Sequence, residues 1–283
     1  MAAPQRGSIV IPAHNEAGVI RRCLDALYSG GDLSRVEVIV ACNGCTDDTA
    51  AVARATEHPV RVLETTTASK AAALRMADSA CAEFPRIYLD ADIVLTGRAA
   101  IAVLRRLDTA DVVAGRPPIR YDAARSSWPV RSYYRARARV PALMGSLWGA
   151  GVYAMSGAAR ARFDEFPDMV GDDLYVDSLY RRDEIVIVDT DPVVVNVPRR
   201  LRSLLTILRR TYRGNAEQQH LASTAVSAPT SSSAVAKQVV ATARSPRSAA
   251  DAIMYLVIAT SARVLAAARP APRWERDDSS RTA

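Results

Sequence analysis

The chain has 283 residues, of which 49% are hydrophobic and 24% are charged, and it carries a formal net charge of +7. This length can bury one large core, or form one domain with an appended segment. The basic residues are almost all arginines, since Lys70 and Lys237 are the only lysines. They are scattered without a zinc-finger or RNP-like pattern, so an anionic substrate or membrane surface is favoured over nucleic acid.

The four cysteines are too few for a disulfide framework. Cys42 and Cys45 form a C-x2-C pair, but no second Cys or His pair follows at zinc spacing. We therefore predict reduced thiols and a cytoplasmic protein, not a structural zinc site. The first residues lack an apolar signal core, so secretion is not expected.

Apolar strand patterns alternate with helix patterns through the first hundred residues. The predicted strands are 8–12, 36–40, 60–63 and 86–89. This order predicts an α/β fold with a mostly parallel, doubly wound sheet. Ligands of such sheets bind outside the carboxyl ends of the strands, where Pro12, Asn43 and Asp90 fall.

The rest of the chain alternates less regularly. Residues 121–144 are rich in arginine and aromatic residues and show no clean strand period. The remaining predicted elements are a helix to about 107, strands at 111–115, 185–188 and 193–197, a loop entering a strand at 147–155, and helices at 174–180, 201–219 and 250–268. We predict a domain over 1–220 with halves 7–115 and 116–220, a Ser/Thr/Ala-rich linker over 221–248, and a C-terminal helix with a disordered tail over 249–283.

A short apolar run ends in two carboxylates at Asp90-Ala91-Asp92. Two carboxylates where a buried strand reaches the surface offer hard oxygen ligands to a divalent cation. An ordinary polar strand end is the alternative interpretation of this motif. The choice depends on the motifs that accompany it.

Those motifs are Ile9–Glu16, Asn43–Thr49, Lys70–Leu74 and a later Gly171–Leu174. Together with Asp90–Asp92, in this order and at this spacing, they make residues 7 to 220 resemble the inverting, GT-A-fold glycosyltransferases of family 2. The resemblance implies a Rossmann-like, mostly parallel sheet flanked by helices, with a C-terminal helical extension. It also implies a Mn²⁺ or Mg²⁺ cofactor and transfer of a sugar from a nucleotide-diphosphate sugar to a hydroxyl acceptor, which is lipid-linked, a saccharide or a small molecule.

The resemblance implies donor-side roles for several residues. Asp92 is expected to bind the metal, and Asp90 the ribose or a metal-bound water. The other expected donor contacts are Pro12, Ala13, Glu16, Asn43, Lys70 and Ala91. Helix capping is the alternative for Glu16, and a solvated side chain is the alternative for Lys70.

The nucleotide base stays open at this stage. The family commonly has two acids before the glycine of the second motif, and here Cys42 and Asn43 replace them. An amide offers both a donor and an acceptor, whereas a carboxylate only accepts. A UDP-sugar is favoured, with GDP- and dTDP-sugars as alternatives.

The predicted acceptor side of the site depends on the adjacent acids Asp172 and Asp173. The resemblance makes Asp173 the general base of an inverting transfer and Asp172 its acidic neighbour. The alternative is an ordinary acidic helix N-terminus. Trp148, Gly149 and Gly151 fall in a segment that the resemblance assigns to the acceptor, with a buried core residue as the alternative for the tryptophan.

Further on, Arg210 and Arg213 keep the spacing of an arginine motif found in processive members, but Gly214 replaces its tryptophan. They are expected to bind the diphosphate or a lipid phosphate, or to form a solvated basic face. His220 is a candidate further metal ligand.

The apolar segment 250–268 has an uncharged core of 11 residues, Ala252–Ala262, which is too short to span a bilayer. We expect it to pack, to form a homodimer or to lie at the inner face of a membrane. Two functions compete with glycosyl transfer: a nucleotidyltransferase, and a catalytically inactive nucleotide-sugar-binding protein. The first would need a Gly-rich basic loop after the first strand, which Pro12–Glu16 does not supply.

Overall fold

The structure is a computed structural model that describes residues 5–169, 171–221 and 232–268, with the backbone alone described at 214–221. The described chain divides into two compact units. The first lies within Met1–Arg120 and Leu147–Val194, and the second within Tyr121–Ser146 and Val195–Ala283.

The strands are β1 Gly7–Ala13, β2 Val36–Asn43, β3 Arg61–Thr65, β4 Arg86–Leu89, β5 Ala114–Arg116, β6 Ile119–Asp122, β7 Val152–Met155, β8 Ile185–Ile187 and β9 Val193–Asn196. Within the described residues, seven of them form one sheet in the order β3-β2-β1-β4-β7-β5-β8, and β6 pairs with β9. In the large sheet β7 runs antiparallel to β4 and β5, and every other neighbouring pair is parallel. The predicted mostly parallel α/β sheet is confirmed.

The helices of the first unit are α1 Ile20–Leu27, α2 Thr49–Arg54, α3 Lys70–Ala80, α4 Gly97–Leu107, α7 Gly157–Arg160 and α8 Asp172–Ser178. The apolar residues of α1 recur every three or four positions and are buried, as an amphipathic helix packed on a sheet requires. Side-chain caps begin three of these helices: Ser69 accepts from the amide of Ala72, Thr96 from that of Ala99, and Ser156 from that of Ala159. The strands β1 and β4 are buried along their whole length.

A buried ion pair fixes one end of α3 to the start of β4. Asp78 accepts from Arg86 Nη1 at 2.7 Å and from the Tyr88 hydroxyl, and its second oxygen accepts from Arg160 Nη2 at 2.7 Å. Asp78 is 8% exposed, so full pairing is what makes its burial tolerable. Because α3 and β4 run in opposite directions, this clamp leaves Lys70 and Asp90 together at the other end of the pair.

The second unit contains the helices α5 Trp128–Arg137, α6 Pro141–Met144, α9 Leu201–Leu221, α10 Ser232–Ala241 and α11 Pro246–Ala268. The helices α5 and α6 occupy the segment in which the sequence shows no clean period. The helix α5 packs against α11, with Tyr133 stacked on Tyr255 at a ring-centroid distance of 4.7 Å. The rings and not a simple apolar stripe therefore stabilise this part of the chain.

The division into units differs from the predicted halves, 7–115 and 116–220. Residues 147–194 belong to the first unit because β7 and β8 hydrogen-bond into its sheet. The helix α9 belongs to the second unit, where Arg213 Nε donates to the carbonyl of Ala266 on α11. The predicted linker 221–248 includes α10, and residues 222–231 lie outside the described residues, as does the tail predicted from 269 on.

Candidate active site

The carboxyl ends of β1, β2 and β4 meet at one edge of the sheet. In the parallel register Ala13 is opposite Cys42, and Val10 is opposite both Ile39 and Tyr88. Pro12 and Ala13 therefore end β1 beside Asn43 at the end of β2, and all three are buried. Asp90 directly follows β4 at the same edge.

The loops after β1 and β2 are joined by hydrogen bonds. The imidazole Nδ1 of His14 lies 2.5 Å from the carbonyl oxygen of Asn43, and the side-chain oxygen of Asn15 accepts from the amide of Thr46 at 2.7 Å. The amide of Glu16 donates to the hydroxyl of Thr49 at 2.7 Å. These contacts hold the two predicted nucleotide loops in one arrangement.

Glu16 is 9% exposed in this loop region. The helix-capping alternative for it is not observed, because α1 begins at Ile20 and its N-cap, Val19, has no side-chain capping bond. The Glu16 carbonyl instead accepts from the amides of Val19 and Ile20.

Lys70 bridges two carboxylates that are far apart in the sequence. Its Nζ lies 2.7 Å from Asp90 Oδ1 and 2.7 Å from Asp172 Oδ1. The side chains of Lys70 and Asp90 are 39% and 38% exposed, whereas that of Asp172 is 11% exposed. The lysine thus ties the end of β4 to the start of α8. The solvated-lysine alternative does not describe this ammonium group.

Asp172 and Asp173 have different partners. The second oxygen of Asp172 accepts from the buried Tyr153 hydroxyl at 2.9 Å, so both of its oxygens are engaged. Asp173 Oδ2 accepts from the amide of Gly149 at 2.7 Å, and its Oδ1 accepts from the amide of Leu174 at 2.8 Å. An ion pair with Lys70 therefore holds Asp172, whereas two backbone amides position Asp173.

Crowding of carboxylates perturbs their protonation. Desolvation raises the pKa of Asp90 to about 6, and Asp172 and Asp92 add to this rise against the lowering effect of Lys70. Desolvation and the neighbouring Asp172 also raise the pKa of Asp173 above its ordinary value. Burial alone would lower the pKa of Lys70, but Asp172 and Asp90 outweigh it, so its pKa is raised and the group is a cation.

Glycines shape the segment that precedes β7. Gly149 and Gly151 have φ values of +79° and +65°, which favour glycine. A Cβ on Gly151 would lie 2.5 Å from Ile93 Cγ1 and 3.2 Å from Asp90 Oδ2, and the Gly151 carbonyl accepts from the amide of Asp90 at 2.8 Å. The segment is therefore packed directly against the Asp90 loop. Trp148 is half-buried beside it.

The donor set suits a hard divalent cation. Asp90, Asp92, Asp172 and Asp173 interact electrostatically around one ammonium group, so the cluster carries excess negative charge. Carboxylate oxygens are the ligands that Mg²⁺ and Mn²⁺ favour. Within the described residues no group of three or more His, Cys, Asp or Glu side chains is arranged to hold a metal. A divalent cation held by one or two of these carboxylates would take its remaining ligands from substrate oxygens and water.

Three of the predicted residues, Arg210, Arg213 and His220, are on α9, which belongs to the second unit. Arg213 donates to a backbone carbonyl of α11, so the solvated-face alternative does not describe it. The side chain of His220 lies outside the described residues.

Two supporting residues were not predicted from the sequence. Tyr153 on β7 has the pattern of a core residue, yet its hydroxyl holds Asp172. Asp177 lies one turn further along α8, is 3% exposed, and accepts from the amide of Leu147 at 2.7 Å and from Arg182 at 2.9 Å. A second acid one helical turn after Asp173 was the available clue to its role in fixing the 147–151 segment.

Fold and site define an α/β enzyme with a carboxylate-lined crevice at the carboxyl ends of parallel strands. The family model for glycosyl transferase family 2 matches residues 8–165, more than half of the chain, and the chain belongs to that family. It is a glycosyltransferase. No curated protein matches the sequence.

Solved structures share the fold. One is the mannosyltransferase PcManGT from Pyrobaculum calidifontis, solved with GDP-Man and Mn²⁺, at a TM-score of 0.62 and 21% identity, covering 96% of this chain and 77% of that one. Another is TarS 1-349 from S. aureus in complex with UDP, at a TM-score of 0.51 and 14% identity, covering 97% and 95%. At these identities the likeness shows the GT-A fold, in agreement with the predicted architecture.

Proposed function

We propose that the chain is an inverting, metal-assisted glycosyltransferase that moves a sugar from a nucleotide-diphosphate sugar to a hydroxyl acceptor. The observation that carries the proposal is the bridge from Asp90 through Lys70 to Asp172. It sets the predicted donor carboxylates beside Asp173, whose raised pKa and backbone positioning suit a general base.

The donor side uses the loops at the ends of β1, β2 and β4. Pro12 and Ala13 offer a buried backbone surface, and Glu16 and Asn43 offer buried polar groups to the nucleoside. Lys70 contributes positive charge next to Asp90, and Ala91 keeps the turn to Asp92 small. We favour a UDP-sugar, with GDP- and dTDP-sugars as alternatives, since an amide at Asn43 can pair with more than one base edge.

Asp92, with Asp90, would hold Mn²⁺ or Mg²⁺. A cation bound there supplies Lewis-acid stabilisation of the charge that develops on the departing diphosphate. The presence of Mn²⁺ in the PcManGT complex is consistent with this choice of metal.

The transfer is a single displacement. The acceptor hydroxyl loses its proton to the Asp173 carboxylate while its oxygen forms a bond to the anomeric carbon. The bond from that carbon to the diphosphate oxygen breaks, and its electron pair leaves with the diphosphate. Gly149 holds the carboxylate through its amide, and Asp172, held by Lys70 and Tyr153, keeps a negative charge nearby that favours proton uptake.

The proposed acceptor segment is Trp148–Gly151, in which Gly151 lets the chain pack against the Asp90 loop and Gly149 donates its amide to Asp173. A lipid-linked, saccharide or small-molecule hydroxyl is compatible with this segment. Arg210 and Arg213, on the second unit, are proposed for phosphate binding only. Reduced cysteines support a cytoplasmic location, since Cys23, Cys42, Cys45 and Cys81 are all free thiols.

The test is Asp173→Asn. Removing a general base should lower turnover more than about 100-fold and leave donor binding intact. Asp164→Asn, an exposed acid of the same unit, is the matched control and should keep normal turnover. The α/β anomer of the product, read by NMR, reports inversion. Near-normal turnover of Asp173→Asn, or a retained anomer, would refute the mechanism. If the wild type and the variant both bind the donor but neither transfers the sugar, the result would favour the alternative of a catalytically inactive nucleotide-sugar-binding protein.

A further inference from the structure

A cationic recess lies within the second unit, and none of the residues that line it is assigned to glycosyl transfer. Its volume is about 410 Å³, and it is lined by Trp128, Arg131 and Arg135 of α5 and by Arg247, Ala250 and Asp251 of α11. Trp128, Arg131 and Arg135 are spaced i, i+3 and i+7, so they form one face of α5. Trp128 is 50% exposed, which is unusual for a large aromatic residue.

The single acid of the recess is already neutralised. Asp251 is 1% exposed and accepts from Ser132 at 2.6 Å, from Arg135 at 2.6 Å and from Arg139 at 3.0 Å. Burial alone would raise the pKa of Asp251, but these three donors lower it below its ordinary value, so the group is ionised. Arg135 and Arg139 therefore already outweigh the negative charge of Asp251, and the exposed arginines of the recess add further positive charge.

Arg131 and Arg247 are exposed, and neither has an ion-pair partner among the described residues. The recess therefore carries a net positive charge from arginine, the side chain best shaped to bind a phosphate through paired N–H groups. An exposed indole at its edge adds an amphipathic ring of the kind found at membrane interfaces.

An apolar face of α11 begins at this recess. Starting from Arg247, the positions spaced three or four residues apart are Ala250, Ile253, Val257, Ser261, Val264 and Ala268. They share one face of the helix, and Ile253, Val257 and Val264 are 62%, 54% and 62% exposed. Three large aliphatic side chains are thus exposed to solvent along one face of α11. Exposed apolar surfaces of this kind mark sites of contact with a protein or a membrane.

The opposite face of α11 is occupied. Tyr255, Ile258 and Ala262 are buried against neighbouring helices, and Asp251 is bound by α5. Among the described residues, α11 is the one helix that is long and apolar enough to cross a membrane, with a mean hydropathy of 1.5 over its best window, of which 33% is buried. Because spanning would break the buried contacts and the Asp251 pairs, the geometry suits a helix that lies along an interface.

We propose that this face docks on the surface of an anionic lipid bilayer. The arginine recess receives lipid phosphates, and the Ile253–Val264 stripe enters the boundary between headgroups and acyl chains. Charge complementarity selects an anionic surface as this occupant, since Arg131 and Arg247 are exposed without an ion-pair partner among the described residues and the one acid of the recess is already bound. The recess and the stripe act together because one helix face carries both.

The experiment is vesicle co-sedimentation of the full chain. Vesicles of phosphatidylcholine alone are compared with vesicles that contain 30% phosphatidylglycerol (roughly the anionic content at which polybasic surfaces bind). Wild type should bind the anionic vesicles at least about tenfold more tightly, and raised salt should release it. Arg131→Gln with Arg247→Gln should weaken binding roughly 25-fold, at roughly fivefold for each arginine.

Two matched controls make the result specific. Arg105→Gln with Arg106→Gln removes the same charge from exposed positions on α4 and should keep at least half of the binding. Ile253→Gln with Val257→Gln adds no charge and should abolish vesicle binding, whereas Ile253→Leu with Val257→Leu should retain it. Because all these side chains are exposed, circular dichroism should show unchanged folding.

Three outcomes would overturn the proposal. One is equal binding to both vesicle types, and another is no binding to either. The third is a stable wild-type dimer, measured by sedimentation velocity, that becomes a monomer in the double variant Ile253→Gln with Val257→Gln. That result would mean that the apolar stripe contacts a second copy of the chain. None of these measurements depends on transfer activity, so the proposal stands or falls separately from the proposed reaction.

Discussion

Replacing Lys70 with methionine tests the electrostatic bridge at the centre of the site. The substitution keeps a straight side chain of similar length and removes the charge that lies 2.7 Å from Asp90 and from Asp172. Their facing oxygens can be no more than 5.4 Å apart, because both contact the same nitrogen. Two carboxylates at that separation without a cation repel each other, so the pKa of Asp90 must rise.

The magnitude follows from Coulomb's law. At 2.7 Å the attraction between unit charges is about 1.5 kcal/mol at the dielectric constant of water and about 6 kcal/mol at an effective value of 20. Lys70 and Asp90 are 39% and 38% exposed, so solvent screening places the loss near the lower figure. A loss of about 1.5 kcal/mol corresponds to about one pKa unit. The pKa of Asp90 should move from about 6 to about 7.

The assay is a pH titration of the folded protein labelled with ¹³Cγ-aspartate, with the Asp90 signal assigned through Asp90→Asn. Lys70→Arg should keep the midpoint near its wild-type value because it restores a cation. The folded-state pKa of Asp90 is raised, so the free energy of unfolding falls as the pH rises from about 4, the ordinary aspartate pKa, to about 6. In Lys70→Met this fall should continue to about pH 7. A midpoint that stays in place or falls in Lys70→Met would refute the bridge.

Three further changes probe the supporting structure. Gly151→Ala should lower the free energy of unfolding by about 2 kcal/mol, from positive-φ strain and overpacking, whereas Gly18→Ala, with open space around its Cβ, should leave thermal unfolding unchanged. Asp251→Asn should cost about 2–3 kcal/mol at pH 7 because it leaves paired arginines behind. The difference from wild type should begin to shrink as the pH falls below about 4, the ordinary aspartate pKa, and should vanish once the lowered pKa of the folded-state acid is passed. Tyr153→Phe should reduce kcat about fivefold with donor KM unchanged, since it removes a hydrogen bond of about 1 kcal/mol that orients Asp172; a raised KM with normal kcat would contradict that role.

Much of the fold could be predicted from local sequence patterns. The alternation of buried strands with amphipathic helices predicts the parallel half of the sheet, because period 2 and period 3.6 are direct consequences of backbone geometry. The carboxylates at Asp90 and at Asp172–Asp173 are visible in the sequence because each follows a strong boundary signal. Their assignment to one crevice follows from the rule that ligands bind at the carboxyl ends of parallel strands.

What the sequence did not predict depends on long-range contacts. The bond between Lys70 and Asp172 joins residues about a hundred positions apart, and no local pattern encodes it. The insertion of antiparallel β7 between β4 and β5 is equally non-local. The helix α5 was not predicted because its buried side chains mix polar and apolar types and do not form a continuous apolar stripe; they are Val130, Ser132, Tyr133, Ala136 and Arg137. Tyr153 has the same residue type and burial as a core residue, so only its hydroxyl contact reveals its role.

The most direct test of the central claim, a metal-assisted nucleotide-sugar site at Asp90 and Asp92, is a thermal-shift panel of UDP-, GDP- and dTDP-sugars with and without Mn²⁺. The account predicts that one nucleotide-sugar stabilises the wild type only with the metal, by roughly 5–10 °C at a hundredfold excess over Kd. Asp92→Asn should lose that shift. Stabilisation by nucleoside triphosphates instead would favour a nucleotidyltransferase. No shift with any nucleotide-sugar, with or without Mn²⁺, would contradict the account.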